Sequence, residues 1–197
     1  MSFRIEEKIL SNSIQNNLIK VFLSKNNAHK LHDDRVISSL YFDNKFFQMF
    51  KDSEEGCVPR KKIRLRKYSN SDQINFEVKT SSVEGRYKTS KTLNKAQYHK
   101  YIRHGIFDNT YGMCFPVINI TYKRKYIKVL SKRLTVDSNI EYQDYFSKKI
   151  IKDNFNQIIE IKTSINEDLN KLYSNFPFRR TRFSKYSEAI KMLKIKN

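Results

Sequence analysis

Residues 61–68 read KKIRLRKY. In an extended strand the period of two sends Lys62, Arg64, Arg66 and Tyr68 to one side and Ile63 and Leu65 to the other. Three cations on one face repel one another, so that face must be open to water, laid on nucleic acid or folded around a polyanion. The alternation recurs along the chain. Glu77 and Lys79 oppose Phe76 and Val78; Arg86 and Lys88 share the next face; Tyr122, Arg124 and Tyr126 share another. Arg133, Thr135 and Asp137 follow, then Glu160 and Lys162 opposite Ile159 and Ile161, while Arg4, Glu6 and Lys8 alternate against Ile5 near the start.

One such strand needs only an ordinary antiparallel sheet with one face on a core and one in water. Repetition shifts the balance. A solvated face mixes uncharged polar residues with both charge signs, whereas Arg or Lys returns here in phase with few carboxylates. If the strands close into a barrel with this face inward, the lumen is a cationic channel. So many enclosed like charges require bound anions. Arginine forks and lysine ammoniums suit phosphate oxygens, and carboxylates among them suit Mg2+ or Mn2+ bridging phosphates.

The remaining pattern predicts an α+β chain. A strand is expected at 3–9 and a helix at 12–25, opened by Asn12 and Gln15 and carrying Ile14, Leu18, Val21 and Phe22 at helical spacing. Residues 26–34 read as a polar loop, 36–42 as a strand, and 43–53 as a short helix or turn with inward aromatics. Strands follow at 60–68, 73–80 and 86–92. A helix at 94–104 stops at Gly105. Strands at 117–129, 132–142 and 158–163, a helix near 166–175 and a basic helix from 184 close the chain. Short turns between successive strands favour antiparallel pairing in a sheet or barrel.

The 197 residues suit one domain spanning 1–197, with 39% hydrophobic residues and only 4 Gly and 3 Pro, which excludes a low-complexity chain. Lys and Arg total 39 against 20 Asp and Glu, a net charge of +19 that attracts any anion. Cys57 and Cys114 form no metal or redox motif and fit a reducing compartment. The charged N-terminus lacks the apolar run of a signal peptide, and no segment reaches the roughly 20 apolar residues that span a bilayer. A cytoplasmic protein without membrane insertion is expected. Nucleic acid is the rival partner for so basic a chain, but no recognised RNA-binding signature is present and most aromatics are expected on the face opposite the arginines. His29 and His32, beside Asp33 and Asp34, read as solvated loop residues, and His99 and His104 receive no role. The basic end from Lys191 reads as a solvated helix face.

The segments SSLYFDN, KIRLRKY, FEVK, RYK, YKR, RLTVD, IIEIK and RFSKY, in this order, resemble the VTC domain, the polyphosphate polymerase domain of the triphosphate tunnel metalloenzyme superfamily. The resemblance runs from about Arg4 to Tyr186. It implies an antiparallel eight-stranded β-barrel with flanking helices, whose tunnel takes the γ-phosphate of ATP and adds it to inorganic polyphosphate or pyrophosphate with Mn2+ or Mg2+. By that resemblance Arg64, Arg66, Arg124 and Arg133 are the catalytic clamp and Glu160 the metal ligand. Lys8, Lys79, Lys88, Tyr122, Lys162, Arg182, Ser184 and Lys185 are the further phosphate contacts; Arg182 stands where a Lys is familiar. The fold also supports triphosphate hydrolysis and a binding-only role.

Overall fold

Alternating strands form wherever one face can be buried. In the computed structural model, which describes residues 4–154, 156–164 and 168–195, ten strands and five helices occur among those residues. The strands are β1 (Arg4–Ser11), β2 (His29–Asp43), β3 (Arg60–Tyr68), β4 (Ser71–Ser82), β5 (Gly85–Leu93), β6 (Ile106–Asp108), β7 (Gly112–Val129), β8 (Lys132–Asp144), β9 (Ile150–Asp153) and β10 (Gln157–Ser164). The helices are α1 (Ser13–Lys25), α2 (Gln48–Glu55), α3 (Lys95–His104), α4 (Leu169–Asn175) and α5 (Lys185–Leu193).

Eight strands form one antiparallel path in the order β1-β10-β8-β7-β2-β3-β4-β5, with β6 added to β7 and β9 to β8. The path curls until its end strands approach: Arg86 of β5 donates to the Glu6 backbone oxygen of β1 at 3.2 Å, and Lys79 pairs with the Glu6 carboxylate. The expected tunnel architecture is present, joined along this seam by side chains.

The outward faces carry two core clusters, and a third, which includes the cavity-lining Tyr41 and Tyr122, lies on the inward face beneath α5. Ile63 and Leu65, 1% and 3% exposed, pack with Phe42 and Met49, and Tyr98, Tyr101 and Ile102 of α3 lie against this cluster. Ile159, Ile161, Leu134 and Val136 pack with Ile19 of α1 and Leu172 of α4. Tyr186, Ala189, Ile190 and Leu193 of α5 pack on Ile118, Ile120, Ile140 and Tyr142. Full burial of each such side chain contributes about 1.5–3 kcal/mol, so the helices hold the sheet in its curl.

Several local expectations are corrected. The polar stretch at 26–34 is a loop only to Ala28; from His29 it extends β2, paired with β7 through His29 and Lys128. Both sides of that extension are polar, which hid the strand. On α1, Ile14, Leu18 and Val21 are 74%, 59% and 53% exposed, while Ile19 is buried and Phe22 and Leu23 pack inward. In the turn before α2, Phe46 faces out and Phe47 faces in, and Phe50 of α2 also faces in. The C-terminal helix is a core element with five buried residues; at its basic end Lys191 and Lys194 are exposed as expected, while Leu193 is buried. β6 and β9, of three and four residues, are too short to show a period. Phe3 of the expected first strand and residues 166–167 of the expected helix lie outside the described residues. No helix among the described residues is long and apolar enough to cross a membrane.

Candidate functional site

The in-phase residues converge. Curling turns the charged strand faces onto one cavity of about 950 Å3, lined among the described residues by fifteen Lys and Arg side chains against four Glu. All thirteen residues singled out above line it: Arg64, Arg66, Arg124, Arg133, Lys8, Lys79, Lys88, Tyr122, Lys162, Arg182, Ser184, Lys185 and Glu160. Lys62 and Tyr68 join them.

Register decides which charges meet. Arg64 of β3 lies opposite Glu77 of β4, with Nη2 2.6 Å and Nε 2.8 Å from Oε2. Its Nη1 donates to Tyr41 Oη at 3.0 Å. Arg66 donates to Ser39 Oγ at 3.0 Å and to Tyr122 Oη at 3.2 Å, and its Nη1 is 3.6 Å from Glu77 Oε2. Lys88 donates to Glu77 Oε1 at 2.9 Å. Burial pushes the Glu77 carboxyl up, but Arg64 and Arg66 outweigh it and hold it at about 2. One carboxylate therefore fixes three cations, and anchored guanidiniums lose little freedom when an anion binds.

A second carboxylate repeats the device. Asp137, 1% exposed, accepts from Arg124 Nη2 at 2.7 Å and from Lys185 at the start of α5. Lys185 and Arg124 keep this carboxyl low against the effect of burial. The Tyr122 ring lies 4.5 Å from the Lys185 ammonium and 5.3 Å from the Arg124 guanidinium.

The segment before α5 closes one side. Thr181 donates its backbone N–H to Lys8 O at 2.8 Å, and Lys8 Nζ donates to Phe183 O at 2.7 Å. Arg182 donates to Ser53 O. Its guanidinium crosses Gly56, whose φ of 83° ends α2 and where a Cβ would meet Arg182 Nη1 at 3.2 Å. Lys62 Nζ donates to Ser184 Oγ at 2.7 Å, and the same oxygen caps α5 by accepting from Ser187 N at 3.2 Å. Burial, which the Glu160 charge only partly offsets, lowers Lys8 to about 8, with Lys79 and Lys185 pushing the same way. Burial and the nearby Lys8 and Lys79 push Lys62 well below its ordinary value.

Glu160 lies opposite Lys8 on β1 and opposite Thr135 on β8. Lys162 Nζ is 3.6 Å from Glu160 Oε1 and 3.9 Å from Glu6 Oε1. Burial pushes the Glu160 carboxyl up, but Lys162, Lys8 and Arg124 overcome this and keep it ionised. No group of three or more His, Cys, Asp or Glu that could hold a metal occurs among the described residues. Two carboxylates sharing one lysine fit a hard divalent cation of the kind that takes one or two protein oxygens and completes its shell from substrate phosphates. Arg133 differs from Arg64, Arg66 and Arg124: its buried Nε has no partner and its guanidinium lies over the Tyr126 ring at 5.4 Å.

Glu77, Asp137 and Glu6 were placed on strand faces by the sequence but given no role. Their signal was the in-phase carboxylate on a basic face, and only cross-strand register shows which cations each one holds. On the strands the aromatics are not confined to the face opposite the arginines: Tyr41, Tyr68, Tyr87, Tyr122 and Tyr126 line the cavity. Tyr41, Tyr122 and Tyr126 are 5%, 2% and 4% exposed, so these rings pack against cations and offer no open stacking platform. His29 and His32 are exposed as expected, although on a strand.

A curled antiparallel sheet enclosing anchored arginines and lysines defines a protein of the phosphate-tunnel fold. The sequence matches the VTC domain family over residues 3–194, and the chain belongs to that family. Solved structures agree on the fold. A Bacillus halodurans protein proposed to be an adenylate cyclase superposes with a TM-score of 0.64 at 15% identity, covering 97% of each chain. A Vibrio parahaemolyticus protein proposed to have the same activity gives 0.59 at 12% identity, covering 96% of this chain and 98% of that one. A Hippeastrum protein proposed as an adenylyl cyclase, with a dominant triphosphatase activity, gives 0.58 at 13% identity, covering 98% and 96%. A search of curated proteins finds no match.

Proposed function

We propose that this chain is a polyphosphate polymerase acting as one VTC-domain unit, transferring the γ-phosphoryl group of ATP to the end of a phosphate chain and releasing ADP. The observation that carries this reading is the convergence of Arg64, Arg66, Arg124 and Arg133 on one cavity in which Glu160 is kept ionised. Phosphoryl transfer needs little covalent help from protein; positioning and charge stabilisation supply most of the catalysis.

Arg64 and Arg66, fixed by Glu77, and Arg124, fixed by Asp137, grip the transferring group and the terminal phosphate of the acceptor. Arg133, Lys79, Lys88, Lys162 and Lys185 neutralise the flanking phosphates, and Tyr122 orients Arg66 through its phenol oxygen. Lys8, Arg182 and Ser184 bind from the side of the closing segment. Glu160, with Glu6 beside it, would hold Mg2+ or Mn2+, which would offset charge on the phosphate oxygens. Interactions that strengthen as charge spreads over the transferring group raise the rate; uniform grip on every phosphate does not. Transfer to water instead of phosphate would make the same site a triphosphatase.

Basic tunnels also attract nucleic acid, and competition separates the two. Labelled single-stranded RNA and tripolyphosphate are offered together in filter binding. The proposal expects tripolyphosphate to bind and to displace any RNA held; tight RNA binding indifferent to tripolyphosphate contradicts it.

A further inference from the structure

Arg35 was not among the residues singled out from the sequence and does not itself line the cavity, but its guanidinium lies against Tyr126, which does. Arg35 lies on β2 just past an irregularity in the β2–β7 ladder: His32 pairs with Tyr126 and Arg35 with Arg124, so Asp33 and Asp34 together oppose Lys125 alone, one extra residue on β2. Bulges bend a strand and re-aim the side chains that follow. The bulge is tied down by its own carboxylates, Asp33 to Lys30 at 2.8 Å and Asp34 to Lys123 at 3.2 Å. Both acids beside Arg35 are therefore engaged elsewhere.

The Arg35 guanidinium lies 5.5 Å from the Tyr126 ring centroid, and that of Arg133 lies 5.4 Å from the same ring. They reach it from β2 and β8, the two strands that flank β7. The Nε of each is buried with no hydrogen-bond partner, and among the described residues no carboxylate pairs with either guanidinium. Arg64, Arg66 and Arg124, deeper in the wall, all have acid partners. A buried donor left unpaired is costly, so a pair of arginines held this way on a tyrosine calls for an external acceptor. Planar forks with free donors suit phosphate oxygens.

The position relative to Glu160 sets what that acceptor is. Glu160 faces Thr135, Thr135 faces Tyr126, and Tyr126 faces His32, one row across four strands. Tyr126 is thus two strand spacings, roughly 10 Å, from the Glu160 strand position. We propose that Arg35 and Arg133, braced on Tyr126, form a subsite for the non-reacting phosphates of a linear polyphosphate several units from the site of transfer. The subsite rests on the polymerase reading and adds to it a preference for long chains, with Arg35 as its distinguishing residue.

Binding of tripolyphosphate and of long-chain polyphosphate is measured by calorimetry at one ionic strength for the wild-type protein, Arg35→Gln and Arg35→Lys. Arg35→Gln is expected to weaken long-chain binding about tenfold and leave tripolyphosphate within about twofold. Arg35→Lys, which keeps the charge and the packing stem but not the fork, is expected to fall between and covers the case in which the glutamine variant folds poorly. Equal weakening of both ligands, or none of either, overturns the subsite. Wild-type protein that binds neither ligand overturns the tunnel reading itself, and the subsite with it.

Discussion

Arg64 and Glu77 face each other across the β3–β4 ladder, with Nη2 2.6 Å from Oε2 and the carboxylate 2% exposed. This contact converts a strand of repelling cations into a fixed clamp, because the same carboxylate also meets Arg66 and Lys88.

Glu77→Gln removes the shared counter-charge and leaves buried guanidiniums uncompensated. Loss of one partner of a buried ion pair costs about 3–5 kcal/mol, and denaturant titration of the variant should show a loss of that order. Saturating tripolyphosphate should return part of it, since the ligand supplies negative charge to the same guanidiniums. A variant as stable as the parent, with and without ligand, contradicts the role given to Glu77.

The clamp was partly legible in the sequence. In-phase Arg and Lys on successive strands marked the lumen face, and Ile63, Leu65, Ile159 and Ile161 marked the other, because a period of two survives any register. Register itself is a tertiary property, so the pairing of Arg64 with Glu77 and of Arg124 with Asp137 could not be read from spacing. The β2 extension at His29–Arg35 was hidden for a related reason: it is polar on both faces and interrupted by a bulge. On α1 the apolar residues exceed what one face can bury, and of the stripe Ile14, Leu18, Val21 and Phe22 only Phe22 packs inward.

Acid should expose the same contact. Glu77 is held at about 2 against an ordinary 4.5. A depressed carboxyl contributes stability that is present above the ordinary value and lost as pH falls toward the folded one. Circular dichroism between pH 5 and pH 2 should therefore show a steeper loss of stability for the wild type than for Glu77→Gln. Parallel acid profiles would contradict the linkage.

Lys8 gives a signal at the alkaline side. Burial places it at about 8 rather than 10.5, so the ligand-free protein begins to lose this positive charge within a working pH range. A bound phosphate favours the ammonium form and raises that value, so binding near pH 8 should take up protons and weaken as pH rises through 8. Calorimetry in two buffers of different ionisation enthalpy measures the uptake. Lys8→Arg should reduce it, leaving the share of Lys62, whose ammonium form is likewise disfavoured by burial; an unchanged uptake assigns the proton to another group.

Tyr186 tests the docking of α5. Its hydroxyl donates to Asp43 Oδ2 at 2.6 Å and its ring stacks on Tyr41 at 5.3 Å. Tyr186→Phe keeps the ring but leaves the buried Asp43 short of one donor, at a cost of about 1–3 kcal/mol. Since α5 carries Lys185 and is capped by Ser184, tripolyphosphate affinity should fall with stability. Reduced stability with full affinity would mean that α5 does not position the site.

Glu160→Gln should uncouple metal from phosphate. Mn2+ binding in the presence of tripolyphosphate, followed by electron paramagnetic resonance, should weaken about tenfold or more, while metal-free tripolyphosphate binding persists through the cations. Unaltered Mn2+ binding would remove Glu160 from the metal site.

The most direct measurement is product analysis after incubation with ATP and Mn2+ or Mg2+, resolving phosphate chains on a gel and assaying ADP and orthophosphate. A polymerase is expected to yield ADP and lengthening polyphosphate, both lost in Arg64→Ala. Orthophosphate without chains, or chains made at full rate by Arg64→Ala, would contradict it.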